Sequence, residues 1–156
     1  MLNWPTMHLD DARTLAAELM QQHMLPRDWS FAFDRSKVRF GKCDYRHQRI
    51  SLSRHLVEAN GVEAVRETIL HEIAHALAPR GAGHGPVWRA LAQSIGCNGS
   101  RCYGNEVARP KPKFRGTCPG CNRIIHRHRR TAIACGKCSP TYNSEFAFIW
   151  SQERSY

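Results

Sequence analysis

Acidic residues are scarce in this chain, and scarcest where its chemistry is concentrated. Of its 156 residues, 23 are Lys or Arg and 13 are Asp or Glu, a formal net charge of +10. Between Glu72 and Glu145 the only carboxylate is Glu106, so a site in that stretch has to be built mainly from histidine and cysteine. A run of 18 apolar residues is also missing, which excludes a helical membrane span. The first residues lack a basic segment followed by a continuous apolar core, which argues against export. The seven cysteines cannot all pair as disulfides, and four of them fall into two C-x-x-C pairs. Zinc thiolates in a reducing cytosol account for that grouping better than a secreted disulfide framework. Cys43, Cys97 and Cys102 then read as free thiols. A chain of this length can bury one modest core and one metal-stapled module besides.

The densest motif is His71-Glu72-Ile73-Ala74-His75, the H-E-x-x-H pattern of zinc hydrolases. On a helix turning about 100° per residue, His71 and His75 lie roughly 40° apart on one face, where they can share one ion. Glu72 then lies beside the metal, placed to take a proton from a water activated there. Helical periodicity supports this: Val62, Val65, Ile69, Ile73 and Leu77 recur at spacings of three and four, on a stripe almost opposite the histidines. A catalytic zinc takes three protein ligands and keeps one position open. His84 is the leading third candidate. Pro79 ends the helix, Gly81 and Gly83 permit a reversal, and Gly85-Pro86 opens a second helix through Trp88, Leu91, Ala92 and Ile95. Glu106 is the weaker alternative, since some zinc peptidases take a later glutamate.

Cys118-Pro-Gly-Cys121 and Cys135-Gly-Lys-Cys138, thirteen residues apart, suit two knuckles around one tetrahedral zinc. Four thiolates leave no open position, so this second zinc is expected to be structural and to stabilise a segment too short for an apolar core of its own. Ala108-Arg-Pro-Lys-Pro-Lys-Phe114 reads as a basic, proline-rich linker. The expected organisation is a hydrolase domain over 1–107, a linker over 108–115 and a β-rich zinc ribbon over 116–156. Residues 109–156 carry ten Arg and Lys against Glu145 and Glu153, so nearly all the excess charge lies there, peaking in His126-Arg-His-Arg-Arg130. Such a surface attracts polyphosphate, and Arg123, Arg127, Arg129, Arg130 and Lys137 are the candidate DNA contacts, to phosphate and without sequence preference.

The remaining sequence supplies scaffold. Leu9 to Met20 reads as an amphipathic helix, with Leu15, Leu19 and Met20 on one side. Trp29 to Phe33, Lys37 to Cys43 and Arg49 to Leu52 read as short strands of a small antiparallel sheet. Phe146 to Trp150 either closes the sheet of the ribbon or docks on the first domain. The fold class expected is α+β, a minimal zincin followed by a zinc ribbon.

The chain resembles the SprT-like zinc metalloproteases, which include the Spartan proteases that degrade proteins crosslinked to DNA. The resemblance is carried by Trp29-Ser-Phe-Ala-Phe-Asp34, Phe40-Gly-Lys-Cys43, Arg49-Ile-Ser-Leu-Ser53, Thr68-Ile-Leu-His-Glu-Ile-Ala-His-Ala76, Gly83-His-Gly-Pro-Val-Trp88 and the four paired cysteines. It implies His71, His75 and His84 as zinc ligands and Glu72 as the general base. It also implies a zinc endopeptidase acting on proteins bound or crosslinked to DNA, in DNA repair, and a substrate strand laid against a sheet edge supplied by Arg49 to Leu52. An intracellular place follows, cytoplasmic or nucleoid-associated, or nuclear in a eukaryote. The alternative from another class is a nucleic-acid-binding zinc-ribbon protein whose protease-like domain is mainly a scaffold.

Overall fold

A computed structural model describes residues 6–100 and 107–153, so Cys102 and Glu106 lie outside the described residues. The chain divides into two compact units, Met1–Pro110 and Lys111–Tyr156. In the first, the elements run α1 (Leu9–Gln22), β1 (Ser30–Asp34), β2 (Gly41–Asp44), β3 (Arg49–Ser53), α2 (Arg54–Ala59), α3 (Val62–Leu77) and α4 (Pro86–Ser94).

The sheet is mixed rather than antiparallel. Its order is β1-β3-β2, with β1 parallel and β2 antiparallel to β3. A tight turn with Gln48 at φ 46 joins β2 to β3 as a hairpin, and the hairpin docks so that β3 lies beside β1. Arg49 to Leu52 therefore cannot supply the free edge expected of it. β3 is the central strand, and Ile50 through Ser53 are all buried. The edges are β1 and β2. Two buried serines on β3 are satisfied by short bonds. Ser51 Oγ donates to Asp34 Oδ2 (3.0 Å), and Ser53 Oγ donates to the Ser36 carbonyl while accepting from the Leu56 N–H (3.2 Å). The second of these caps α2, a six-residue helix absent from the sequence reading.

α3 is the central helix. Its apolar stripe is buried at Val65, Ile69 and Ile73, but Val62 at the first turn is exposed, and burial extends around the whole circumference from Thr68 to Ala74. His71 and Glu72 are buried with the rest. The helix has no exposed face in its middle, because β2 and α4 also pack on it. α1 approaches through Ala12, Ala16 and Leu19, with Leu15 and Met20 half-buried, small side chains allowing close contact with α3. Each fully buried Leu or Ile of this core contributes on the order of 1.5–3 kcal/mol.

Residues 107–109 are tied to the first unit. Val107 is buried in its core, and the buried amide of Asn60 pairs with both backbone groups of Ala108, accepting from its N–H (2.8 Å) and donating to its carbonyl (2.9 Å). The same amide donates to the Leu56 carbonyl at the end of α2 (2.7 Å).

The second unit is an antiparallel sheet of order β5-β4-β6, made of β4 (Phe114–Thr117), β5 (Ile124–Arg127) and β6 (Ile149–Gln152). β6 pairs with β4, so the C-terminal aromatic run closes this sheet. Trp150 lies over Gly116, where an added Cβ would stand 2.9 Å from the indole ring. Among the described residues only Cys118, Cys135 and Phe148 of its apolar side chains form a buried centre, with Ile125, Ile133, Phe146 and Trp150 half-covered around them. That is too little apolar burial to hold the unit without a staple.

Asn60→Ala leaves the Ala108 N–H and two carbonyls without their partner, so the first unit is expected to lose about 1–3 kcal/mol. Urea unfolding followed by tryptophan fluorescence measures it, and a loss below about 0.5 kcal/mol contradicts the role given to this amide.

Candidate metal centres

α3 sets His71 and His75 one turn apart, and the turn after Pro79 returns His84 to them. Gly81 and Gly83 take positive φ (86° and 53°), which a side chain would resist, and Gly85 with Pro86 starts α4 immediately after the histidine. The three Nε2 atoms converge. His84 Nε2 lies 3.0 Å from those of His71 and His75, which are 3.2 Å from each other. Nitrogens held by one tetrahedral zinc at about 2.0–2.1 Å are roughly 3.3 Å apart, so the donor set fits zinc. Trp88, fully buried on α4, forms the wall behind them, its ring 4.7, 5.1 and 4.6 Å from the rings of His71, His75 and His84.

The protonation states suit a cation. Burial, and then the neighbouring histidines, push His71 down to about 4, and burial and His84 do the same to His75. Their rings are neutral at pH 7, the form that ligates a metal. His71 also bonds to the Ser100 backbone. With Nε2 facing the other histidines, that bond falls to Nδ1, which fixes the ring's tautomer and orientation.

Glu72 stands outside the triad. Its carboxylate lies against β2, where a Cβ on Gly41 would stand 2.5 Å from Oε1, and the Cys43 N–H bonds to it. Burial raises Glu72 to about 8, with the Arg39 charge pulling the other way. At that value the carboxyl is largely protonated at pH 7, and a cation beside it would be needed to free it as a base. The histidines, Glu72, Gly41, Cys43 and Tyr45 line one cleft of about 630 Å³, together with Val38, Arg39 and Arg109. Sequence reasoning missed Gly41, Tyr45 and the cleft position of Arg109. Arg109 was counted with the basic segment, but it belongs to the first unit and donates to the Val38 carbonyl (3.1 Å). The glycine in Phe40-Gly-Lys-Cys43 was the available signal for a close approach.

In the second unit Cys118, Cys121, Cys135 and Cys138 bring their sulfurs within 4.8 Å of one another, with 3.7 Å between Cys118 and Cys138 and between Cys121 and Cys135. A zinc at about 2.3 Å from each sulfur requires edges of roughly 3.8 Å, and none of the four is in a disulfide. Each knuckle folds by backbone bonds: Asn122 N to the Cys118 carbonyl, and Cys138 and Ser139 N to that of Cys135. Burial pushes the Cys135 thiol up, but the N–H groups of Lys137 and Cys138 together with the Cys121 and Cys118 thiols bring it down to about 6. Arg123, Arg127, Arg129, Arg130 and Lys137 are all exposed. Arg127 lies on β5 and donates to the His126 carbonyl, Arg130 sits over the ring of Phe114, the residue paired with Arg127, and Lys137 is inside the second knuckle.

The SprT-like family profile matches residues 11–109. No curated protein matches the chain. On that match the chain belongs to the SprT-like family, whose members carry a metallopeptidase-like domain. The matched span lies within the first unit, and the four-cysteine unit is outside it.

Fully loaded protein is expected to hold two zinc ions, with His84→Ala and Cys135→Ser each holding one. Elemental analysis by mass spectrometry counts them. A single zinc in loaded wild type, or two in His84→Ala, contradicts the assignment.

Proposed function

We propose that this SprT-like chain is a zinc-dependent endopeptidase that acts on proteins bound or crosslinked to DNA, with its basic C-terminal unit serving as a zinc ribbon that contacts DNA. The observation that carries the first half is the convergence of three imidazole nitrogens in a cleft where a buried carboxylate stands next to them without joining them. The second half rests on charge: ten Arg and Lys against two Glu in residues 109–156, with the five candidate contacts exposed.

His71, His75 and His84 would hold the catalytic zinc, and Cys118, Cys121, Cys135 and Cys138 the structural one. Zinc supplies Lewis-acid polarisation of a carbonyl and acidifies a water. Glu72 then takes the proton from the attacking water at a carboxylate oxygen and delivers it to the leaving amine. Gly41 and the Cys43 N–H fix the carboxylate for that transfer. Trp88 keeps water from the back of the histidines. Beside the cleft, β2 is an edge strand; its outward Cys43 N–H is taken by Glu72, and an extended peptide would pair with the outer backbone groups that remain. Arg123, Arg127, Arg129, Arg130 and Lys137 would meet phosphates, which gives affinity without sequence readout.

Purified protein incubated with a basic DNA-binding protein, with and without DNA, tests both halves. Glu72→Gln is expected to lose about 10²–10⁴ in cleavage rate while keeping its zinc. Gly41→Ala should behave similarly, because the added methyl displaces the carboxylate and touches no histidine. Cleavage by Glu72→Gln at the wild-type rate removes the base from its role. Replacing Arg127, Arg129 and Arg130 with Gln should weaken DNA binding equally across unrelated sequences, the salt dependence of log K falling by about one unit for each phosphate left without its cation. Unchanged DNA affinity makes the basic unit a solvated face.

A further inference from the structure

The carbonyl of His75 has no helical partner, for a reason written in the sequence. In an α-helix it would accept from the N–H four residues on, and that residue is Pro79, which has none. α3 ends at Leu77, and Ala78 is already extended (φ −72°, ψ 152°), as a residue before proline tends to be. The bond is supplied from outside the helix. Tyr45 Oη donates to the His75 carbonyl at 2.8 Å, across thirty residues of sequence.

Tyr45 is itself held on several sides. Its ring stands edge-on to Trp29, with centroids 6.3 Å apart at 83°, and the Arg80 guanidinium lies 6.0 Å above its face. It shares a side-chain hydrogen bond with Cys43. It follows β2 directly, in alternation with Gly41 and Cys43, the residues that seat the Glu72 carboxylate. One edge strand thus grips α3 at two places, the base at one end and the last turn, with His75, at the other.

We propose that Tyr45 is a positioning residue of the histidine site: through the His75 carbonyl it holds the last turn of α3 in place and so keeps His75 in register with His71 and His84. This rests on reading the triad as a zinc site. A histidine on the last turn of a helix, with no intrahelical bond on its carbonyl, would otherwise move with the fraying end. Excursions of one of three donors shorten the lifetime of a bound ion, because two histidines hold it weakly.

Tyr45→Phe removes the phenol hydroxyl and keeps the ring that packs on Trp29 and beneath Arg80. Full-length protein loaded with zinc is mixed with an excess of a chromogenic chelator, and release is followed in time. The fast phase is assigned to the histidine site by its loss in His84→Ala. That phase is expected to accelerate about tenfold in Tyr45→Phe, while the slow release from the cysteine site does not change. A second substitution supplies the readout that general loosening would not give. Pro79→Ala provides an N–H four residues after His75, so Tyr45→Phe/Pro79→Ala is expected to return toward the wild-type release rate. Unchanged release in Tyr45→Phe, or no rescue by Pro79→Ala, overturns the proposal. So does a large fall in peptide cleavage with release unchanged, which would put the phenol on the substrate instead. Accelerated and rescued release in a protein that cleaves no peptide leaves Tyr45 in its role and overturns the peptidase reading.

Discussion

The constraint on the first unit is that the Nε2 atoms of three histidines meet at 3.0–3.2 Å, a spacing at which one ion can touch all of them. The first unit is organised around that constraint. α3 supplies two of the rings at the spacing of a helical turn, a glycine-rich reversal supplies the third, and Trp88 closes the back. Burial makes the arrangement consistent with metal binding rather than with protonation, since it holds His71 and His75 near 4 and removes the competing proton. The same burial raises Glu72 to about 8, so one desolvated helix carries ligands that stay unprotonated and a carboxyl that keeps its proton until a neighbouring cation lowers it. The difference lies in the charge each group would bear in the dry interior: the histidines avoid becoming cations, and the glutamate resists becoming an anion.

The two units apply one physical rule at opposite extremes. The first buries a continuous core from α1 to α4 and holds a histidine cluster beside it. The buried centre of the second, among its described residues, is Phe148 with two cysteines of the four-cysteine group, so a metal held there would make folding and metal content one equilibrium. A closed set of thiolates suits such a scaffold, because a ligand exchanged for water would open the core around which the unit is built.

What could be read from the sequence was local. The limits of α3 follow from apolar spacing and Pro79, the reversal to His84 from Gly81, Gly83 and Gly85-Pro86, and the knuckles from paired cysteines. What could not be read depends on order in space. The parallel pairing of β1 with β3 places Arg49 to Ser53 in the centre of the sheet and makes β2 the edge by the cleft, and no local signal distinguishes those arrangements. The contact of Gly41 with Glu72, the Tyr45 bond to His75 and the Asn60 clamp on Ala108 each join residues about thirty or more positions apart. Arg109 shows the same limit for charge. Counting by position assigned it to the basic segment, whereas the Asn60 clamp one residue earlier places it in the cleft of the first unit.

The position of the metal relative to Glu72 decides whether this carboxyl is a base or a ligand. Diffraction from zinc-loaded crystals, recorded just above and just below the zinc absorption edge, locates the ions without reference to any assumed ligand. The predicted result is one anomalous peak about 2.0–2.1 Å from the Nε2 atoms of His71, His75 and His84, with both Glu72 oxygens beyond bonding distance and beside the Cys43 N–H. A peak bonded to Glu72, or none at the three histidines while the four-cysteine peak is present, would contradict it.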